Sequence, residues 1–183
     1  MIIGISGTFS SGKDTVAEYL ADLGFAVVST SDLLREEMRK RKKRINRKAL
    51  VEMANQLEVE WGEGSLARIA YENNKHKQDL VITGIRKISE IEYLRTIPGF
   101  FLVFIDAPIE TRYIRVVKRG REGEGKLSLE EFKKQENLEM SGGSSQRLDY
   151  CRENADMLLM NDGNLEQLVQ KVDAMIAESA KAM

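Results

Sequence analysis

Apolar residues along the chain gather into short, nearly uninterrupted runs: Ile2-Ser6, Phe25-Ser29, Leu80-Thr83, Phe100-Ile105 and Met157-Met160. Runs of this length, apolar at consecutive positions, predict strands covered on both faces. Between them the period changes to three and four residues. Val16, Leu20 and Leu23 follow the first run, and Leu165, Leu168, Val169, Val172 and Ile176 follow the last. Such alternation predicts a three-layer α/β fold, a five-stranded parallel sheet with helices on both faces.

The spacing is uneven in two places. About fifty residues lie between the second and third runs, and about as many between the fourth and fifth. The first gap predicts three helices, from Asp32 to about Lys43, from Arg47 to Glu58 with Asn46 as N-cap, and from Glu63 to about Asn74. The second predicts a helix from Ile109, the loop Gly120-Arg121-Glu122-Gly123-Glu124-Gly125, and a polar helix opened by the capping box Ser128-x-x-Glu131. One core over residues 1–183 with two inserted flaps is the expected organisation.

Composition narrows the class. At 183 residues, 42% hydrophobic and 31% charged, the chain has the profile of one soluble globular domain. Its single Cys151 rules out an internal disulfide and suits a reducing cytoplasm. Met1 runs directly into Ile2-Ile3-Gly4-Ile5 without a basic leader, and no apolar run approaches the ~18 residues of a membrane span. Secreted and membrane readings are therefore not expected. The formal charge of −1 hides an asymmetry, because residues 35–48 carry nine cations against Glu36 and Glu37, a local +7 in an otherwise acidic chain. That block predicts either an anion-steering surface or a solvated helix face.

The strongest local signal is Gly7-Thr8-Phe9-Ser10-Ser11-Gly12-Lys13, between the first strand and the first helix. Glycines let successive N–H groups curl around a polyphosphate, and the helix N-terminus adds positive dipole. Gly7, Ser10, Ser11, Gly12 and Lys13 are thus expected at an ATP site, with Lys13 bridging the outer phosphates. Asp14 stands where a Ser or Thr hydroxyl usually ligates Mg²⁺; its carboxylate is a hard oxygen donor for the same ion. Thr15, one residue on, is expected near the α-phosphate.

Cations follow at the ends of the next strands. Ser29-Thr30-Ser31-Asp32-Leu33-Leu34-Arg35 opens a helix at the carboxyl edge of the second strand, with Asp32 and Arg35 on one face. Thr83-Gly84-Ile85-Arg86 brings another arginine to that edge. Arg35 and Arg86 are expected to hold an acceptor phosphate, against the alternatives of a solvated Arg35 and an N-cap role for Asp32. After the fourth strand, Asp106-Ala107-Pro108 leads a helix on which Arg112, Arg115 and Arg119 form a positive row, with Val116 and Val117 filling the other side.

Taken together these segments resemble the adenylate-kinase-like nucleotide kinases, P-loop enzymes that pass the ATP γ-phosphate to a nucleoside monophosphate. Ser-Thr-Ser-Asp32-Leu-Leu-Arg35 is similar to their acceptor-binding segment, Thr83-Gly-Ile-Arg86 to a shortened second acceptor arginine, and Asn161-Asp162-Gly163 to their adenine-holding loop. The resemblance implies a P-loop NTPase fold with an NMP-binding insertion at about 31–76 and a LID region at about 119–150. It implies Mg²⁺-ATP as donor, Lys13, Asp32, Arg86 and Arg119 in catalysis, and Arg115, Asn161 and Gly163 on the adenine side. Thr30, Asp32, Arg35 and Arg86 would face a small phosphorylated acceptor, and Asp14 and Asp32 the metal. Thr83 stands where many relatives are acidic, so Asp32 substitutes as second metal partner. The likeness is strongest to the dephospho-CoA-kinase-like branch, whose acceptor would be a ribose hydroxyl rather than a phosphate.

Other residues carry weaker signals. The Arg39–Arg44 run would serve a nucleotide-switched RNA- or partner-binding ATPase, although it lacks interleaved aromatics. His76 has no metal-ligand partner at useful spacing, and Cys151 reads as inert. Trp61 is a candidate for the acceptor flap or for packing. Asn161-Asp162 does not supply a GTPase base reader, and Leu80-Val81-Ile82-Thr83 lacks the acidic pair of a remodelling ATPase. No motif decides between monomer and dimer.

Overall fold

The computed structural model describes residues 1–119, 128–142 and 145–181. Strands β1 (Ile2–Gly7), β2 (Ala26–Ser29), β3 (Leu80–Ile85), β4 (Phe100–Asp106) and β5 (Met157–Met160) form one sheet in the order β2-β3-β1-β4-β5. All neighbours run parallel. Parallel neighbours require crossovers, and each crossover lays a helix on one face.

On one face, α1 (Lys13–Asp22) and α9 (Leu165–Lys181) cover Ile3, Ile5, Val81, Val103 and Ile105. On the other, α4 (Ser65–Glu72), α5 (Ile88–Arg95) and α8 (Leu148–Glu153) cover Leu80, Ile82, Leu102 and Phe104. Burial of both faces explains the continuous apolar runs of β1, β3 and β4. The edge strands depart from the expectation: β2 is half-buried, and in β5 Leu158 and Met160 are exposed. Each fully buried Ile, Leu or Phe contributes about 1.5–3 kcal/mol relative to exposure.

The first long gap builds α2 (Thr30–Lys40), α3 (Arg47–Trp61) and α4, which enclose a small core of their own from Leu34, Met38, Met53, Leu57 and Leu66. Asn46 caps α3 as expected, accepting from the Ala49 N–H at 2.9 Å. The second gap contains α6 (Ile109–Arg119), α7 (Leu129–Met140) and α8. Ser128 and Glu131 form the expected capping box. The glycine-rich loop at 120–125 lies outside the described residues, as does part of the expected LID region.

Several boundaries differ from the sequence expectation. Helix α2 starts at Thr30 and ends at Lys40, because Ser29 rather than Asp32 is its N-cap, accepting from the Asp32 N–H at 3.1 Å. Strand β3 continues two residues past Thr83 through a bulge: Ile5 pairs with Thr83 but Ser6 pairs with Ile85. Gly84 is the extra residue, at φ 88°, and a Cβ there would lie 2.7 Å from Thr30 Oγ1. The six-residue α8 was too short to show a period.

Candidate active site

The turn after β1 is fastened from three directions. The Thr8 N–H donates to Ile105 O at 3.2 Å, and the Thr8 hydroxyl donates to Asp106 Oδ1 at 2.6 Å. Asn161, buried at the end of β5, donates from Nδ2 to Ser11 O at 2.8 Å. Arg112, only 4% exposed, donates to Ala107 O at 2.6 Å and to Phe9 O at 3.4 Å. A loop this braced presents its amides without rearrangement, which is how a phosphate cradle avoids an entropic cost on binding.

Helix α1 begins without a side-chain cap, its N-cap being Gly12 at φ 101°. A Cβ on Gly12 would collide with the Asn161 amide. The uncapped first turn leaves its N–H dipoles directed at the cleft. Lys13 folds back over its own loop, donating to Gly7 O at 2.9 Å and Thr8 O at 2.5 Å. Burial pushes its ammonium down to about 7, helped by the nearby Arg86 and opposed by Asp14 and Glu139. A cation held so far below its ordinary 10.5 gains most from an arriving polyanion.

Two clefts open on this turn. The larger, about 770 Å³, is lined by Ser10, Ser11, Gly12, Lys13, Asp14 and Thr15, and by Arg115, Arg119, Asn161 and Gly163. Every residue expected on the ATP side therefore borders one space except Gly7, whose carbonyl holds Lys13. The second, about 460 Å³, runs under α2 and α3. Leu34, Ile45, Leu50, Val51, Ala54 and Leu66 form an apolar wall, and Thr30, Asp32, Arg35, Arg86, Lys87, Glu90 and Glu139 form the polar side. The clefts meet where Phe9, Ser31, Asp32, Arg35, Gly84 and Arg86 line both.

At that junction the cations already hold carboxylates. Arg35 donates to Asp32 Oδ1 at 2.9 Å. Arg86 donates to Gln146 Oε1 at 3.1 Å and lies 3.5 Å from Glu139 Oε2. Lys87 bonds Glu58 and, at 2.8 Å, Asn55. Burial alone would raise the Glu58 carboxyl, but the hydrogen bonds from Lys87 and Ser89 reverse this and hold it below its usual value. Buried Glu90 caps the turn into α5, accepting from the Arg86 and Lys87 N–H groups, and its carboxyl is raised by burial.

Some expected roles change. Thr30 borders the acceptor cleft, but its hydroxyl donates to Gly84 O at 2.9 Å and so ties α2 to β3. Arg112 does not belong to an exposed positive row. It is buried, with Nη2 donating to Glu136 Oε1 at 2.6 Å, so it joins the loop to α7. Val117 is 60% exposed, so only Val116 fills the apolar side of α6. Asn161 meets the loop backbone rather than standing free for a base. Arg119 stacks over Phe9 at 5.5 Å. Trp61 is outside the cleft and 43% exposed, with Arg41 over its ring at 5.9 Å.

Part of the basic run is committed. Arg41 donates to Glu37 at 2.7 Å and to both oxygens of Glu60 at 3.0 and 2.7 Å, and Lys40 lies 3.0 Å from Glu36. His76 is exposed. The Cys151 thiol is buried and pushed up to about 12, mainly by burial. Arg152 lies 3.5 Å from Asp106 Oδ2, whereas Arg147 pairs with Asp149 at 2.8 Å.

Asp106, Glu58, Lys87 and Glu139 were not singled out from the sequence as site residues. Asp106 stood at a strand end beside the motif. Glu136 and Glu139 lie three apart on α7, which the sequence marks only as a polar, capped helix.

As to a metal, no cluster of three or more acidic, His or Cys ligands occurs among the described residues. Asp14 and Asp32 nevertheless border the same cleft as Lys13. Two carboxylates facing a phosphate cradle fit Mg²⁺, which keeps several waters and takes further oxygens from the nucleotide. No helix among the described residues is long and apolar enough to cross a membrane.

Comparison with known proteins agrees with this architecture. A family described as AAA domain matches residues 3–141. A UPF0200 protein of Sulfurisphaera tokodaii is 31% identical over 177 residues, covering 96% of this chain and 95% of that one. Among solved structures, TT1252 from Thermus thermophilus superposes with a TM-score of 0.66 at 27% identity, covering 97% of each chain. Shikimate kinase from Acinetobacter baumannii in complex with shikimate gives 0.66 at 20% identity, over 97% of this chain and 93% of that one. Dephospho-CoA kinase from Campylobacter jejuni gives 0.54 at 18%, over 97% and 96%. With its phosphate-binding turn on a P-loop kinase-like fold, the chain belongs to the AAA-domain family matched over residues 3–141 and to the UPF0200 proteins.

Proposed function

We propose that the protein is an ATP-dependent phosphotransferase whose acceptor is a nucleoside monophosphate. The observation that carries this reading is the shared lining of the two clefts. Asp32, Arg35 and Arg86 border both, so a donor phosphate and an acceptor phosphate would meet between them.

In this mechanism the turn amides and Lys13 hold the β- and γ-phosphates, with Lys13 leaving the carbonyls of Gly7 and Thr8 for phosphate oxygens. Arg35 and Arg86 fix the acceptor phosphate in line, converting a bimolecular encounter into an oriented one. An acceptor phosphate oxygen attacks the γ-phosphorus, and the bond to the β–γ bridging oxygen breaks, releasing ADP. Arg119, already over Phe9 at the mouth, neutralises charge on the transferring group. Asp14 and Asp32 would hold Mg²⁺, which neutralises phosphate charge when bound. The apolar wall of Leu34, Leu50 and Val51 would shelter the base.

A second reading has one observation in its favour. The Asp32 side chain is 74% exposed at the junction, where it would accept the proton of an attacking hydroxyl, as a dephospho-CoA-kinase-like reaction requires.

ADP release from Mg-ATP, measured with AMP, CMP, UMP, GMP, the deoxynucleotides and dephospho-CoA, separates the readings. Strong stimulation by one monophosphate supports the proposal, and stimulation by dephospho-CoA alone replaces it with the second. Weak, unstimulated hydrolysis overturns both and favours a nucleotide-switched binding protein.

A further inference from the structure

Glu90, in the first turn of α5, lines the acceptor cleft with a carboxylate that its structural task only half uses. The residue is 4% exposed. Its Oε2 accepts from the Arg86 N–H at 2.8 Å and from the Lys87 N–H at 3.1 Å. Among the described residues nothing donates a hydrogen bond to Oε1, and no cation forms an ion pair with the group. Lys87, its neighbour in the turn, directs its ammonium to Glu58 and Asn55 instead. Burial raises the Glu90 carboxyl above its usual value, and the two backbone N–H groups oppose this.

Capping alone does not call for this arrangement. A glutamine would accept the same two bonds without bringing a charge out of water. A buried carboxylate oxygen without a donor is costly unless a ligand supplies one. The apolar side chains of the cleft, among them Leu34, Leu50 and Leu66, offer none. A cationic donor is disfavoured, since Arg35, Arg86 and Lys87 line the same space. A hydroxyl fits best, because it donates to the ionised carboxyl and accepts from the protonated one. Position narrows the ligand further. Glu90 holds the backbone of Arg86, which borders both clefts, so the hydroxyl lies close to the acceptor phosphate. A sugar hydroxyl stands in that relation to a 5′-phosphate. Glu90 does not line the donor cleft, so it selects the acceptor and takes no proton at the transfer step.

Resting on the phosphate-acceptor reading, we infer that Glu90 determines acceptor specificity: its Oε1 hydrogen-bonds a secondary hydroxyl of the sugar, so the site takes ribose phosphates over their deoxy analogues. Arg35 and Arg86 then hold the phosphate, the apolar wall shelters the base, and Glu90 reads the sugar.

The test is calorimetric titration of the full-length protein in the presence of Mg-ADP. The probes are inorganic phosphate, ribose 5-phosphate and its 2-deoxy and 3-deoxy analogues. In wild type, one deoxy analogue is expected to bind about tenfold more weakly than ribose 5-phosphate, having lost a hydrogen bond to a carboxylate. Glu90→Met should abolish that difference. Glu90→Gln should reduce it to about threefold, since a neutral group makes the weaker bond. A purely structural Glu90 would behave otherwise: Glu90→Met would weaken inorganic phosphate and all three sugar phosphates alike, because the Arg86 turn loosens for each. Equal affinity of the three sugar phosphates in wild type overturns the inference, as does a deoxy penalty that survives in folded Glu90→Met. Should that variant fail to fold, an undiminished penalty in Glu90→Gln overturns it equally. Inorganic phosphate separates the two claims. A protein that binds neither it nor ribose 5-phosphate refutes the phosphate-acceptor reading and this inference with it. Phosphate binding without a hydroxyl penalty refutes this inference alone.

Discussion

Arg115 and Asn161, forty-six positions apart in the chain, both donate to the carbonyl of Ser11, at 3.4 and 2.8 Å. Arg115 also reaches Asn161 O at 3.3 Å, closing a small ring behind the phosphate turn. The turn is thus set by contacts at the ends of β4 and β5 as well as by its own glycines. Replacing Asn161 with Leu removes the buried donor and leaves Ser11 O without it, a loss of about 1–3 kcal/mol. We expect a lower denaturation midpoint and nucleotide affinity weakened about tenfold, read by chemical denaturation and by calorimetric titration with ADP. Unchanged affinity in a destabilised protein would separate the brace from the cradle.

Lys13 links nucleotide binding to protons. Its folded-state value is about 7 against an ordinary 10.5, so between those limits the unfolded chain binds more protons and stability rises with pH. Below pH 7 the group is charged in both states and its desolvation cost is fully present. Phosphates favour the charged form, so binding above pH 7 should draw in a proton. At pH 8.5, calorimetry in two buffers of different ionisation heat should show uptake of about one proton per ADP. Affinity should be flat below pH 7 and fall as pH rises. Lys13→Met should abolish the uptake, and Lys13→Ala should lower turnover on the order of 100-fold or more.

Asp32 distinguishes acceptor chemistries. For a phosphate acceptor, Asp32→Asn mainly alters the pair with Arg35 and the metal's surroundings, so kcat should fall modestly, with recovery at higher Mg²⁺. For a hydroxyl acceptor it removes the proton's destination, and kcat should fall about 100-fold or more without recovery. Arg86→Ala provides the companion measurement, with acceptor KM raised and kcat lowered.

Gly84 tests the hinge between the sheet and α2. An alanine there would adopt φ 88° with its Cβ 2.7 Å from Thr30 Oγ1. Gly84→Ala should cost about 1–3 kcal/mol from backbone strain. It should also part Thr30 from Gly84 O, so acceptor KM should rise more than that for ATP. Equal changes in both would indicate general loosening.

How much of this was legible in the sequence depended on the range of the interaction. The Ile2–Ser6 run and the glycine spacing after it report local geometry, so sheet and turn follow from the chain directly. Helix α7 was legible as a helix, from its capping box, but its acidic face gave no sign of burial. Glu139 pairs with Arg86, more than fifty positions upstream, and charge pairing across that distance leaves no local period. Arg112 was misjudged for the same reason, since its partners Phe9 O and Glu136 lie far from it in the chain. The bulge at Gly84 hid two residues of β3, because the glycine that terminates a sequence pattern here merely displaces it.

Cys151 has a use that follows from its place in the fold. It is the chain's one cysteine, it is fully buried, and its thiol is held near 12. Thiolate chemistry at neutral pH is therefore closed to it until α8 parts from the sheet. The natural protein thus contains its own clock for structural opening. A thiol reagent added in excess will mark each molecule once, at the rate at which that region exposes itself. Any ligand that steadies the region will slow the clock, without a label, a tag or a substitution.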